Sequence, residues 1–369
     1  MIAFKNEIIT LRKKTNICSL FLIIFLFSCS FHRIKAKFAF DLYHTNEELF
    51  EEFEKLLSNC DNNIITKHEL IQDLNPSNKI LYYSIEASDF NPSSRKANTV
   101  FMLFGEHSRE LIPTEAALFI AKALCNKIDK YSKSTISKIL KNSKVYIMPV
   151  LNIIGRKLVA EGDYCKRTNE NDVDLNRNWD SHWSAAEKFA QTNPGSFPFS
   201  EWETAKLKEL LEKMKPKTFI TTHSGNLGMY SPFAYKKFLF EDLTEDSARN
   251  MRNIQSIIMK INRQYCNCIS GSIGNDLGYL CPGTCLDYAF ENLNIANSFA
   301  FEIYSEKQSA FYKNILDSED LEYFDYDKFT KKNYVSSLAT LIQMKMKNSL
   351  KPIKLSVIIK FFNNNFYNF

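Results

Sequence analysis

Residues 99–124 read TVFMLFGEHSRELIPTEAALFIAKAL. Thr99–Phe104 is apolar after its first residue, the pattern of a strand buried on both faces of a sheet. Leu111–Leu124 reads as a helix, and Gly105–Glu110 makes the turn between them. Outward from this unit, Ile80–Glu86, Lys144–Leu151, Thr218–Thr222 and Ser298–Tyr304 read as further strands, and Glu47–Leu57 as an amphipathic helix. Glu201–Met214 reads as a helix with Ser200 as N-cap and Glu203 closing a capping box. Strands alternating with helices argue for one doubly wound α/β sheet, where chemistry gathers at the carboxyl ends of the strands.

Several polar residues fall there. His107 and Glu110 stand three apart in the turn after Phe104, so both can face one ion. His223 follows the TFITT strand, and Glu302 lies inside SFAFEIY. Two histidines and a carboxylate are a ligand set of catalytic zinc, leaving a fourth position open. Taken singly, each has a blander reading: a histidine at a strand end is often structural, and a His-x-x-Glu match arises by chance. A glutamate in an apolar strand is harder to dismiss, because burying an unpaired charge is expensive. Gly162–Trp179 (GDYCKRTNENDVDLNRNW) contains Arg167, Asn176 and Arg177. Arginine grips a carboxylate with two parallel donors. The competing reading of that stretch is a solvated polar loop.

The chain of 369 residues could hold two or three domains or one large one, and its 45% apolar and 24% charged residues are ordinary for a globular protein. Of the net charge of +5, residues 1–30 account for +3 through Lys5, Arg12, Lys13 and Lys14 against Glu7. The remainder is too small for a nucleic-acid surface. The cations precede an uncharged run, Ile17–Phe27, followed by Ser28, Cys29 and Ser30, which describes a secretory signal peptide over residues 1–30. An uncleaved membrane anchor is the second reading and a buried core helix the third, since a span needs roughly 20 apolar residues. The late apolar stretch, Ile353–Phe362, is short and broken by Lys354 and Lys360.

Outside the signal region stand Cys60, Cys125, Cys165, Cys266, Cys268, Cys281 and Cys285, an odd number that leaves at least one thiol free or paired between chains. The spacing of the last four is wrong for the usual zinc knuckle, and a secreted chain favours disulfides. Asn-x-Ser/Thr acceptors, with x other than Pro, are absent from the sequence.

Together these residues resemble the zinc metallocarboxypeptidases, the pancreatic carboxypeptidase A-like peptidases, with further similarity to plant and protist members in the GDYCKR and GYLCPGT segments. The resemblance runs from Phe40 to about Lys345. It rests on His107-Ser-Arg-Glu110, Asn152-Ile-Ile-Gly155, the DVDLNRNW segment, Pro194-Gly195, Ser200-Glu201-x-Glu203-Thr204 and Thr222-His223-Ser224. Gly278-Tyr279, Gly283-Thr284, Asp287 and Phe299-Ala-Phe-Glu302 complete it. It implies an α/β fold: a single domain with a mixed, twisted β-sheet of about eight strands and helices on both faces, over residues 38–345, with 346–369 as a tail.

Carried across residue by residue, the resemblance makes His107, Glu110 and His223 the ligands of one Zn2+ per chain. Glu302 matches the general base and proton shuttle, and Arg167 the arginine that polarises the scissile carbonyl. The spacer from Arg167 to Asn176 is shorter than in the pancreatic enzymes, and Lys166 is adjacent. Asn176 and Arg177 match the pair that holds the substrate's free carboxylate, Tyr279 the mobile tyrosine, and Arg109 a secondary contact. Leu286 stands where the family sets pocket specificity, and its apolar side chain points to apolar or aromatic C-terminal residues. The implied activity is hydrolysis of the C-terminal peptide bond of peptides or proteins by a monomer in the secretory pathway, outside the cell or in a luminal or vacuolar compartment. Nucleic acid is not an expected partner, and a membrane is one only if the N-terminal segment stays uncleaved.

Departures from the pattern are Ile-Ile after Asn152 where Pro-Asp is usual, and Gly225 after Ser224 where pancreatic members carry Tyr. Too little chain separates the signal from Phe40 for a compact inhibitory pro-domain. Alternatives are a catalytically silent zinc-binding protein on the same fold, or a membrane-tethered peptidase. Cleavage of tubulin or of γ-D-glutamyl amides is a further one; the signal argues against the first and Leu286 against the second.

Overall fold

The computed structural model describes residues 43–304, apart from 62, 96, 130 and 186–190. The expected leader (1–30) and tail (346–369), with Cys18, Cys29 and the Ile353–Phe362 stretch, lie outside the described residues.

Thr45 opens the first helix, α1 (Asn46–Leu57). Its hydroxyl accepts from the Glu48 amide at 3.2 Å, and Glu48 accepts from the Thr45 amide at 2.8 Å, so two donors that the helix leaves free are both satisfied. The helix buries Leu49, Phe53 and Leu56, with Phe53 stacked on Tyr83 at 4.4 Å between centroids.

The described strands β1 (Asn63–Ile71), β2 (Lys79–Ala87), β3 (Asn98–Phe104), β4 (Ser143–Met148), β5 (Thr218–His223), β6 (Leu227–Ser231), β7 (Ile269–Ser272) and β8 (Asn297–Ile303) form one sheet. Its order is β1-β2-β4-β3-β5-β8-β6-β7. The central run β4-β3-β5-β8 is parallel, and the β1/β2, β2/β4 and β6/β8 pairs are antiparallel, so the sheet is mixed.

Side chains of β3 alternate between two cores. Val100, Met102 and Phe104 join one with α1, α2 (Leu111–Leu124), α3 (Lys133–Lys141) and α6 (Glu245–Ile261), whereas Phe101 and Leu103 join the other with Leu207 and Leu211 of α5 (Trp202–Met214). Helices therefore cover both faces, and a continuous apolar strand is the consequence. Each fully buried side chain of this kind contributes about 1.5–3 kcal/mol.

Two sequence expectations need correction. Helix α5 has Glu201, not Ser200, as N-cap, and no side chain caps it. Ser200 Oγ is instead occupied by Asn178 Nδ2 at 2.9 Å and donates to Glu201 at 2.8 Å, while Glu203 is fully buried with Oε1 3.4 Å from Asn169 Nδ2. The strand expected over Lys144–Leu151 ends at Met148. Pro149 has no amide to continue the ladder. Beyond it the chain still follows β3, the Leu151 amide donating to Phe104 O at 3.1 Å and the Asn152 amide to Gly105 O at 2.9 Å.

Candidate active site

The turn after β3 is built around Gly105, whose φ of 64° is in the left-handed region. A Cβ there would also meet Val150 Cα at 3.0 Å and Pro149 O at 3.2 Å. Asn152 opens α4 (Ile153–Ala160) with Oδ1 accepting from the Gly155 amide at 2.9 Å. Its Nδ2 reaches Glu106 O at 3.2 Å and Ser108 Oγ at 3.1 Å. Ser108 in turn donates from its amide to Arg167 O at 3.1 Å and from Oγ to Thr168 O at 2.5 Å. The turn that bears His107 and Glu110 is thus fastened to the loop that bears Arg167.

The structure brings His107, Glu110 and His223 together. All three are buried, and one possible ligand atom from each lies within 4.8 Å of the others. His107 Nδ1 is 2.7 Å from Glu110 Oε1, His223 Nδ1 is 3.2 Å from Glu110 Oε2, and the two Nδ1 atoms are 3.2 Å apart. The outer nitrogens face carboxylates as well: His107 Nε2 lies 3.1 Å from Asp174 Oδ1, and His223 Nε2 lies 3.1 Å from Glu106 Oε2.

The electrostatics match a cation. Burial pushes the Asp174 carboxyl up, but Arg167, His107 and Arg177 outweigh it and hold Asp174 well below the usual range. Burial likewise pushes the His223 imidazole down, and Glu106 and Glu110 outweigh it to hold His223 well above its usual range. Carboxylates thus face all four ring nitrogens of the two imidazoles, a surrounding that favours positive charge there. Two imidazole nitrogens and a carboxylate fit zinc, a borderline ion for which this donor set suffices.

Glu302 of β8 is the cross-strand partner of His223 in the β5/β8 ladder, and its Oε2 accepts from the Asn226 amide at 3.4 Å. Burial, with the charge of Glu110 beside it, pushes its carboxyl up to about 7. Arg167 Nε donates to Asp174 Oδ2 at 2.9 Å, and Nη1 sits 3.6 Å from Glu110 Oε1. Arg177 and Asn176 are buried in the short helical turn Leu175–Arg177, where Arg177 Nη1 donates to Asn176 O at 2.7 Å. The Asn176 amide lies between the Cys285 amide, 3.1 Å from Oδ1, and His223 Nε2, 3.3 Å from Nδ2.

Tyr279 is 54% exposed and within electrostatic reach of Arg177, Glu302 and Arg167. Leu286 is buried with Tyr230, Ala234, Ile273, Cys281 and Ala300, and the next residue, Asp287, accepts from the amides of Ala234 and Tyr235. Arg109 is on the rim and tied down, its Nη1 donating to Cys165 O at 3.0 Å and to Gln191 Oε1 at 2.9 Å. Cys60 pairs with Cys125 and Cys266 with Cys268, so Cys165, Cys281 and Cys285 remain free among the described cysteines.

Asp174, Glu106 and Asn152 take positions around the cluster that the sequence reading did not assign. A signal was present for Glu106. It is a carboxylate in the turn just beyond an apolar strand, where burial would demand a partner.

The model of the zinc carboxypeptidase (peptidase M14) family matches residues 77–330. The chain belongs to the zinc carboxypeptidase family. These are zinc-dependent hydrolases, and the mixed eight-stranded sheet is the family's fold. Among curated members, carboxypeptidase O of Bos taurus is 26% identical over 289 residues, 72% of this chain and 71% of that protein. Carboxypeptidase A2 of Rattus norvegicus is 24% identical over 303 residues, 77% of this chain and 67% of that protein. Among solved structures, thrombin activatable fibrinolysis inhibitor superposes with a TM-score of 0.64 at 20% identity, covering 89% of this chain and 75% of that one. Carboxypeptidase A from Helicoverpa armigera superposes with a TM-score of 0.60 at 20% identity, covering 84% and 74%. At these identities the structural likeness speaks for the fold. Among the described residues, this zinc carboxypeptidase has no helix long and apolar enough to cross a membrane.

Proposed function

We propose that this zinc carboxypeptidase releases the C-terminal residue of peptides and proteins, with preference for apolar or aromatic residues. The observation that carries the reading is the inward-facing set of His107 Nδ1, His223 Nδ1 and the Glu110 carboxylate, beside which Glu302 and Arg167 stand. His107, Glu110 and His223 are the residues that would hold the ion. A bound zinc ion supplies an electrophile for the scissile carbonyl and lowers the pKa of an attacking water.

The chain's own residues do the rest. Glu302 takes a proton from the attacking water on a carboxylate oxygen and returns it to the leaving amine nitrogen. Arg167, aligned by Asp174, directs its guanidinium donors at the oxygen of the scissile carbonyl, an interaction with developing negative charge worth about 3–4 kcal/mol. Arg177 and Asn176 grip the terminal carboxylate, which makes the enzyme an exopeptidase. Tyr279 closes over the terminal residue, Arg109 makes a secondary contact at the rim, and Leu286 forms the apolar floor of the side-chain pocket.

The basic, then apolar, N-terminal sequence supports a secretory compartment, and so does the Cys60–Cys125 disulfide, a bond that persists in oxidising surroundings. Profiling of a peptide library with and without a metal chelator tests the activity. Loss of single C-terminal residues, apolar ones first and only without chelator, is the expected result. Internal cleavage, or turnover that the chelator leaves intact, contradicts it.

A further inference from the structure

Glu106 has no part in the chemistry above, yet its side chain is only 1% exposed and Oε2 faces His223 Nε2 at 3.1 Å. Thr221 donates its hydroxyl to the same oxygen at 2.5 Å and lies 2.9 Å from Nε2. Cys285 Sγ is a further, weak donor to Oε2 at 3.5 Å. Among the described residues, Oε1 has no hydrogen-bond partner. A carboxylate held in this way is costly to bury, so its presence needs a cause.

The directions of the hydrogen bonds fix the histidine tautomer. The only hydroxyl proton of Thr221 goes to Glu106, so its oxygen can only accept from Nε2. The Glu106 carboxylate is an acceptor as well. Asn176 Nδ2, 3.3 Å from Nε2, is itself a donor, because Oδ1 of the same amide accepts from the Cys285 amide, and it is the one contact that does not accept from Nε2. Two acceptors, Thr221 Oγ1 at 2.9 Å and Glu106 Oε2 at 3.1 Å, outweigh this longer contact, so Nε2 carries a hydrogen, and Nδ1, which faces His107 and Glu110, is the nitrogen left to bind an ion.

We infer that Glu106 is a positioning residue of the zinc site: through His223 Nε2 it fixes the tautomer and ring plane of that ligand and raises the basicity of Nδ1. It mirrors Asp174, which faces His107 Nε2 from the other side. The inference rests on the proposed role of His223 as a zinc ligand.

Two variants separate charge from contact. Glu106→Gln keeps an acceptor and nearly the same volume, whereas Glu106→Ala removes both. Zinc affinity is measured by competition with a chromophoric chelator, and ligand geometry from the visible spectrum of the cobalt-substituted protein, both without peptide. Glu106→Ala is expected to weaken zinc binding about 10–100-fold and to shift the cobalt bands, with a smaller loss in Glu106→Gln. If Glu106→Ala does not fold, Glu106→Gln decides alone. Unchanged zinc affinity and cobalt spectrum in the folded variants overturn the inference and leave the metal site standing. A wild-type protein that takes up no zinc overturns the metal site and the inference together. Weakened zinc binding in the variants of a wild type that binds zinc but cleaves no peptide sustains the inference and removes only the peptidase reading.

Discussion

Arg167 donates through Nε to one oxygen of Asp174 at 2.9 Å, while the other oxygen of Asp174 faces His107 Nε2 at 3.1 Å. A single buried carboxylate thus sets the orientation of a histidine and of the arginine proposed to act on the carbonyl. Asp174→Asn keeps the shape but removes the charge that both partners need. Zinc affinity is expected to fall about 10–100-fold, and kcat to fall further than metal loss alone explains when zinc is saturating. Chelator competition and steady-state kinetics on the same preparation read the two effects apart. A kcat restored in full by excess zinc would mean that Arg167 does not depend on Asp174.

Glu302→Gln retains the volume and the bond from the Asn226 amide but cannot take a proton. The variant is expected to bind zinc as the wild type does and to lose about 100- to 10,000-fold in kcat. Metal analysis beside dipeptide hydrolysis checks it, and near-wild-type turnover would remove Glu302 from the role of base.

Arg177→Ala removes the proposed anchor of the terminal carboxylate. KM for peptides with a free C-terminus should rise at least 10-fold, whereas slow cleavage of the amidated analogues should barely change. An equal effect on both substrate series would assign Arg177 a structural role in the turn it shares with Asn176.

Glu203 gives a pH dependence of stability that involves none of the proposed zinc ligands. Burial, with Glu170 and Glu201 adding to it, pushes its carboxyl up to about 8. The unfolded chain releases this proton near the ordinary value of about 4.5 while the folded protein keeps it. The native state therefore binds more protons across that window, and stability falls as pH rises from about 4.5 to about 8, then levels. Glu203→Gln removes the dependence. The stability difference between variant and wild type, from urea unfolding, is expected to grow in the variant's favour by about 3 kcal/mol between pH 5 and pH 8. A difference that stays constant across this range would show that Glu203 is ionised in the fold.

The central strands were legible because their side chains are buried on both faces. TVFMLF and TFITT need no partner to be recognised as strands, and the motifs that follow them fall where the sheet delivers them. β1, β6 and β7 were not read. β1 is an edge strand of mixed character (NIITKHELI), and β6 and β7 are short and carry glycines, so neither periodicity nor propensity marks them. The capping box at Ser200 failed for a different reason: Ser200 and Glu203 make the right local pattern, but Asn178 and Asn169 compete for them from distant parts of the chain. The same limit hid the parts played by Asp174 and Glu106, since a carboxylate behind a histidine is a relation between segments that only the fold brings together.

Gly283 presses its backbone on that of Arg177: a Cβ there would stand 2.3 Å from Arg177 O, and its own amide and carbonyl bond to Ser181 O at 2.8 Å and the Trp179 amide at 3.1 Å. Leu286 lies three residues further along the same segment. The proposed grip on the substrate's carboxylate and the floor of the pocket for its last side chain are therefore set at a fixed distance, like the jaws of a caliper. On the proposed roles, a change of specificity is expected to come from the side chain at position 286 rather than from its backbone, which Gly283 ties to the turn of Arg177.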